Sequence, residues 1–231
     1  QFDAQTRKII GAEALLRWEK TDAETGKKAF VRPDHFIPVA EQSGLIVPIG
    51  RWVIEEACRF TQECFDQGLP PFRIAINLSG VQFARDDVVQ LTKDVLKRTK
   101  LDPHFLELEV TESAVMRDIN QTIALLQQLR DIGVELAIDD FGTGYSSLSY
   151  LKRFPIHRLK VDRSFVMNVT ESNDDASITK TIIQLGHSIG LKVIAEGVET
   201  EAQVKFLAEN KCDEFQGYFF SKPLPPAEFR G

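Results

Sequence analysis

Short apolar runs in this chain end, one after another, on a polar residue that is usually acidic. Glu13 lies in GAEALLRW, Asn77 ends FRIAIN, and Glu109 and Glu112 follow in LELEVTES. Asp139 and Asp140 close VELAIDD, Lys160 and Asp162 close HRLKVD, Glu196 and Glu199 lie in VIAEGVE, and Gln216 follows in EFQGY. Successive stations lie about thirty residues apart or somewhat less, the length of one βαβ unit. Strand ends that recur in this way converge on one rim of a parallel barrel or sheet, where such folds place chemistry. Carboxylates crowded on one rim repel one another unless cations lie between them.

Helix, glycine and strand alternate between the stations. Val53, Ala57, Phe60 and Cys64 recur at helical spacing within 52–67, Gly68 stops them, and FRIAIN follows as a strand. Ile119, Ile123, Leu126 and Leu129 mark a second helix stopped at Gly133, before VELAI. Ile178, Ile182, Leu185 and Ile189 mark a third stopped at Gly190, before KVIAE. Glycine suits the left-handed position just past a helix end. Thr200 with Gln203 reads as a capping box. The strands read as apolar on both sides, as parallel strands covered by helices do. The polar run 170–175 reads as an exposed loop, and the Phe residues of FLEL, KRFP and GYFF as core filling. The class is α/β, best satisfied by a (β/α) barrel.

Composition narrows the function. The 231 residues carry a net charge of -6, against the basic face that polymeric nucleic acid requires. Four dispersed His and three Cys lack CxxC or HxxxH spacing, which argues against zinc and for a reducing, cytoplasmic setting. No apolar run is long enough to cross a bilayer. The chain opens at Gln1 without an initiator Met, as expected of one domain, 1–231, excised from a larger signalling protein whose flanks include any sensor or membrane anchor.

Oxygen donors without His or Cys select Mg²⁺ or Mn²⁺. Neighbours Asp139 and Asp140 can both turn toward the mouth, so that one bridges two ions about 4 Å apart, the spacing that clamps an in-line phosphoryl displacement. Lys160 adds positive charge at that level, and Arg17 can hold a phosphate oxygen. Other readings stand beside these. Lys160 suits a Schiff base, as in barrel aldolases, although acidic neighbours oppose it by raising its pKa. Asn77 suits a helix cap. Gly142 and Gly144 suit a turn or hinge at least as well as a phosphate cradle.

GAEALLRW, INLS, EVTES, IDDFGTGYSSLSYL, LKVDRSF, VIAEGVET and FQGYFFSKPLP, in this order, resemble the signature motifs of the EAL-domain cyclic di-GMP phosphodiesterases. The resemblance spans nearly the whole chain. It implies a modified TIM (β/α)8 barrel with one antiparallel strand, and hydrolysis of one phosphodiester of cyclic di-GMP to linear pGpG. By resemblance, Glu13, Asn77, Glu109 and Asp139 ligate one metal, and Asp139 with Asp140 the second. Lys160 steadies the water and phosphate, and Glu196 positions or deprotonates the water. Leu15, Arg17 and Gln216 contact the ligand. Glu112 anchors the loop from Asp140 to Ser147, and Asp162 and Glu199 support the site from behind. The resemblance further implies two Mg²⁺ or Mn²⁺ ions, inhibition by Ca²⁺, and a homodimer, for which the apolar stretch Leu148, Tyr150 and Leu151 is the expected contact. The family's first strand, of YQP type, is expected to be represented only by its end at Phe2-Asp3, with a weakened or exposed barrel edge as the consequence. The alternative function is a cyclic di-GMP receptor that binds without hydrolysis. A Mg²⁺-dependent barrel lyase or aldolase is a third.

Overall fold

The structure, a computed structural model, describes residues 1–21, 25–116, 118–144 and 148–230. Its frame is a sheet of eight strands: β1 (Phe2–Asp3), β2 (Gly11–Ala14), β5 (Arg73–Leu78), β6 (Leu106–Thr111), β7 (Glu135–Phe141), β8 (Arg158–Val161), β9 (Lys192–Ala195) and β10 (Glu214–Phe215). Their spatial order is β1-β10-β9-β8-β7-β6-β5-β2. All neighbours are parallel except β1, which runs antiparallel to β10. The ring closes through β1. Phe2 bridges Ile9, and the Gln1 carbonyl accepts from Ile10 N at 3.0 Å and Gly11 N at 3.3 Å. The two-residue strand therefore covers the edge that the sequence left in question. A hairpin of β3 (Trp18–Thr21) and β4 (Lys28–Val31) follows β2 and stands outside the ring.

Alternation along the strands sorts two faces. Leu106, Leu108, Leu136, Ile138, Leu159 and Val161 turn outward and pack with Ile54, Cys58, Leu126, Leu129, Ile182 and Leu207 of the surrounding helices. Most inward positions at the two ends are polar or charged, which corrects the reading of strands greasy on both sides. Arg73, Glu107 and Arg158 point into the barrel at its N-terminal end, and Asn77, Glu109, Asp139 and Lys160 lie nearer its C-terminal end. Between them lie Ala75 and Ala137, small enough for both charged layers to fit.

The helix signals resolve as expected with longer helices. Helices Ile46–Asp66, Ile119–Ile132 and Asn173–Ser188 are followed by Gly68, Gly133 and Gly190 at φ of 88°, 101° and 81°. A side chain at such a position costs about 1–2 kcal/mol. The Thr200 capping box is formed. The run 170–175 is not all loop: Ser172 caps a helix whose first turn holds Asp174 and Asp175. The apolar pattern misses that turn because it faces solvent. Of the Phe residues in the three motifs, Phe154 is buried, whereas Phe219 is exposed. Of the expected dimer contact, Leu151 is buried, Tyr150 is half-buried against the core, and the Leu148 side chain lies outside the described residues.

Candidate active site

Every strand from β5 to β8, together with β2, delivers one inward polar side chain to the same end of the barrel, and the exits of β9 and β10 add Glu196 and Gln216. Lys160 stands in the middle, fully buried. Its Nζ lies 2.6 Å from Glu109 Oε2, 2.7 Å from Glu196 Oε1, 3.2 Å from Asp139 Oδ2 and 4.0 Å from Glu13 Oε2. Burial opposes charge on this amine, but Glu109, Glu196, Glu13 and Asp139 outweigh it and hold the ammonium well above its ordinary pKa. A protonated lysine is no amine nucleophile, and the Schiff-base reading falls on that ground.

The carboxylates respond in the opposite sense. Burial raises Glu196 to about 7 against the lowering pull of Lys160. Burial raises Glu109 well above its ordinary value despite the same cation. Glu13 is held from two sides, with Asn77 Nδ2 donating at 2.6 Å and Gln216 Nε2 at 2.5 Å. Asn77 caps nothing; the helix Gly80–Arg85 is capped by Ser79.

How two adjacent strand residues serve one mouth is visible at Asp139-Asp140. In β7 the register to β8 slips: Ile138 pairs with Leu159 and Phe141 with Val161, so two residues oppose Lys160 alone. This is a β-bulge, and Asp140 takes φ of 54° to make it. Side chains that would point to opposite faces are thus brought near each other. Asp139 turns to Lys160, and Asp140 faces Asp162. Burial, then the charges of Asp139 and Asp162, raise Asp140 to about 6.

Glu112 Oε2 accepts from Gly142 N at 3.0 Å, and a Cβ on Gly144 would come within 2.9 Å of Glu112 Oε1. Gly142 has φ of 101° and serves as a turn. The loop's next residues, 145–147, lie outside the described residues. Asp162 caps the helix Arg163–Met167, and Glu199 pairs with Arg163 at 2.8 Å, which holds the loop rather than the rim itself. Leu15 and Arg17 follow directly on the end of β2 that carries Glu13: Leu15 is exposed, and the Arg17 guanidinium donates to Leu16 O at 3.0 Å. The His residues are structural where they are bonded, with His157 Nδ1 accepting from Leu136 N and His187 pairing with Asp213.

The donor set fits hard cations: Glu13, Asn77, Glu109, Asp139 and Asp140 present oxygen alone, and Glu109 Oε1 is buried with no hydrogen-bond partner. Among the described residues no group of Asp, Glu, His or Cys is disposed as a ready cage, and the Lys160 ammonium neutralises the cluster instead.

A second ionic layer went unread in the sequence. Arg158 contacts Glu135 at 2.7 Å, Glu107 at 2.8 Å and Glu214 at 3.2 Å; Arg73 contacts Glu214 at 2.6 Å and Glu107 at 3.1 Å. Its signal was available: a charge stands two residues before Glu109, Lys160 and Gln216, on the same face of each strand. The positions of Arg163 and Gln203 behind the β9 exit carried no such signal.

A barrel parallel but for β1, with an acidic rim around a buried lysine, defines an α/β-barrel class whose oxygen donors suit hard cations. The family model described as EAL domain matches residues 1–223, and the chain belongs to this family. It is 47% identical over 217 residues to the bifunctional diguanylate cyclase/cyclic di-GMP phosphodiesterase MucR of Pseudomonas aeruginosa, covering 94% of this chain and 31% of that protein. It is similar to the solved MucR phosphodiesterase in complex with cyclic di-GMP, at TM-score 0.92 and 45% identity, covering 99% of this chain and 90% of that one. A manganese and cyclic di-GMP complex of BlrP1 from Klebsiella pneumoniae is similar at TM-score 0.79 and 30% identity, covering 96% of this chain and 53% of that one. The chain spans under a third of the length of the curated relatives it matches first.

Proposed function

We propose that this domain hydrolyses one phosphodiester bond of cyclic di-GMP, giving linear pGpG and lowering a bacterial second messenger in the cytoplasm. The observation that carries the reading is the Lys160 ammonium set among Glu109, Glu196 and Asp139 on an all-oxygen rim. Similarity to phosphodiesterases solved with the dinucleotide supports it.

Glu13, Asn77, Glu109, Asp139 and Asp140 would hold two Mg²⁺ or Mn²⁺ ions, which when bound would supply positive charge to the phosphoryl oxygens and acidify water. Lys160 directs its ammonium at the scissile phosphate and the attacking water. Glu196, with a carboxyl near 7, accepts the water's proton at neutral pH. Water oxygen bonds to phosphorus, the bond to the 3′ oxygen breaks, and that oxygen takes up a proton. Leu15 and Arg17, just past the end of β2, and Gln216, bonded to Glu13, contact the nucleotide. Homodimerisation is part of the same reading and rests on resemblance. Incubating the purified domain with cyclic di-GMP and Mg²⁺ and resolving products by chromatography tests the activity. Intact dinucleotide after prolonged incubation favours the receptor alternative.

A further inference from the structure

Gln203 sits in the first turn of the helix Glu201–Glu209 and is only 4% exposed. Its side chain makes three hydrogen bonds, and all go to backbone. Oε1 accepts from Glu199 N at 2.7 Å and from Thr200 N at 2.9 Å, while Nε2 donates to Met167 O at 3.0 Å. Two N–H donors on one side and a carbonyl on the other fix the orientation of the carboxamide. The first two bonds belong to a helix cap. The third does not. It reaches 36 residues back, to the end of the helix Arg163–Met167 that follows Lys160 and Asp162.

The loop so held carries Glu196. It is gripped on both flanks. Arg163 pairs with Glu199, and a Cβ on Gly197 would stand 2.3 Å from Arg163 Cγ. On the other side Val198 N donates to Gln216 O at 3.0 Å, and a Cβ on Gly217 would stand 2.1 Å from Val198 O. We infer that Gln203 is a positioning residue for Glu196: by tying the β9 exit loop to the helix after β8, it keeps Glu196 in register with Lys160, 2.7 Å away.

The inference rests on the phosphodiesterase reading. Wild-type turnover of cyclic di-GMP in Mg²⁺ is the control that separates them: a wild-type domain without turnover removes that reading and the inference with it. Gln203→Glu retains both cap bonds, as Glu does in many capping boxes, but sets a carboxylate against the Met167 carbonyl. Displacement of a reacting group by under 1 Å lowers kcat about tenfold or more, and KM is expected to change by less than about twofold. In a Glu196→Gln background the same substitution is expected to change the residual turnover by less than about twofold, because the residue it positions is already disabled. Gln203→Asn keeps the amide but is one methylene too short to span the gap, and supplies the same test should Gln203→Glu fail to fold. Wild-type kcat in either folded variant, or an equal loss in both backgrounds, overturns the positioning role.

Discussion

Replacing Lys160 by Met keeps the length of the side chain and removes the one charge that the rim cannot replace from within. Glu109, Glu196 and Asp139 then face each other, with oxygens that had stood 2.6, 2.7 and 3.2 Å from a cation. Glu109 is fully buried, and its other oxygen already lacks a hydrogen bond. Removing one partner of a buried ion pair costs about 3–5 kcal/mol, which in a chain of this size lowers Tm by roughly 6–20 °C. The sign with pH follows from the carboxylates. Folding raises Glu196 from 4.5 to about 7, so the folded state holds a proton that the unfolded state has released. Stability from such a group is complete below pH 4.5 and is lost as pH rises through 7. Without Lys160 the pull that lowers this value is gone, and the window extends further upward. The expected result in EDTA is therefore a small Tm difference near pH 5 and the full difference at pH 8. Mg²⁺ at pH 8 restores part of it by neutralising the same oxygens. Turnover does not recover, because the ammonium beside the phosphate is missing. Differential scanning calorimetry at both pH values, with and without Mg²⁺, measures each quantity. A variant matching wild-type Tm within about 2 °C at pH 8 in EDTA refutes the view that Lys160 holds the rim together.

Asp139→Asn keeps size and removes the bridging charge; kcat is expected to fall at least about a thousandfold, or roughly 4 kcal/mol, while calorimetry still detects cyclic di-GMP binding. Near wild-type turnover would exclude Asp139 as the bridge. Ca²⁺ in place of Mg²⁺ should permit binding with little or no hydrolysis, since a larger ion tolerates irregular coordination and holds the reacting oxygens less rigidly. Full activity in excess EDTA contradicts any use of metal. Arg158→Leu takes from Glu135 its 2.7 Å partner and leaves Glu107 and Glu214 to share Arg73, and is expected to cost about 3–5 kcal/mol in urea unfolding with kcat nearly unchanged while folded. An unaltered unfolding midpoint would show that the far layer is not what holds that end.

The rim was legible because strand alternation and chain reversal are local rules. An apolar run ending on Asp or Glu, then a helix ended by glycine, says that the next strand starts from the opposite end, so every such terminus arrives at one place. The seven ordered motifs carried the family for the same reason: each is a strand end with its following turn. Helix starts were less legible. Residues 173–177 show little apolar periodicity because that turn packs little, and only Ser172 marks it.

The sequence alone therefore determined the helix–glycine–strand alternation between the stations and the polar, oxygen-bearing rim, both properties of residues near one another in the chain. Tertiary structure decided which charges meet. Nothing local says that Lys160 sits inside the carboxylates rather than beside them; that follows from closure of the ring, which brings β2 and β6 within reach of β8. The bulge that turns Asp140 depends on register with β8, and the far ionic layer on strands that are distant in the chain. So does the bond from Gln203 to Met167. Long-range pairing is invisible to periodicity because its energy is realised only when the barrel closes and water is excluded from the charges inside.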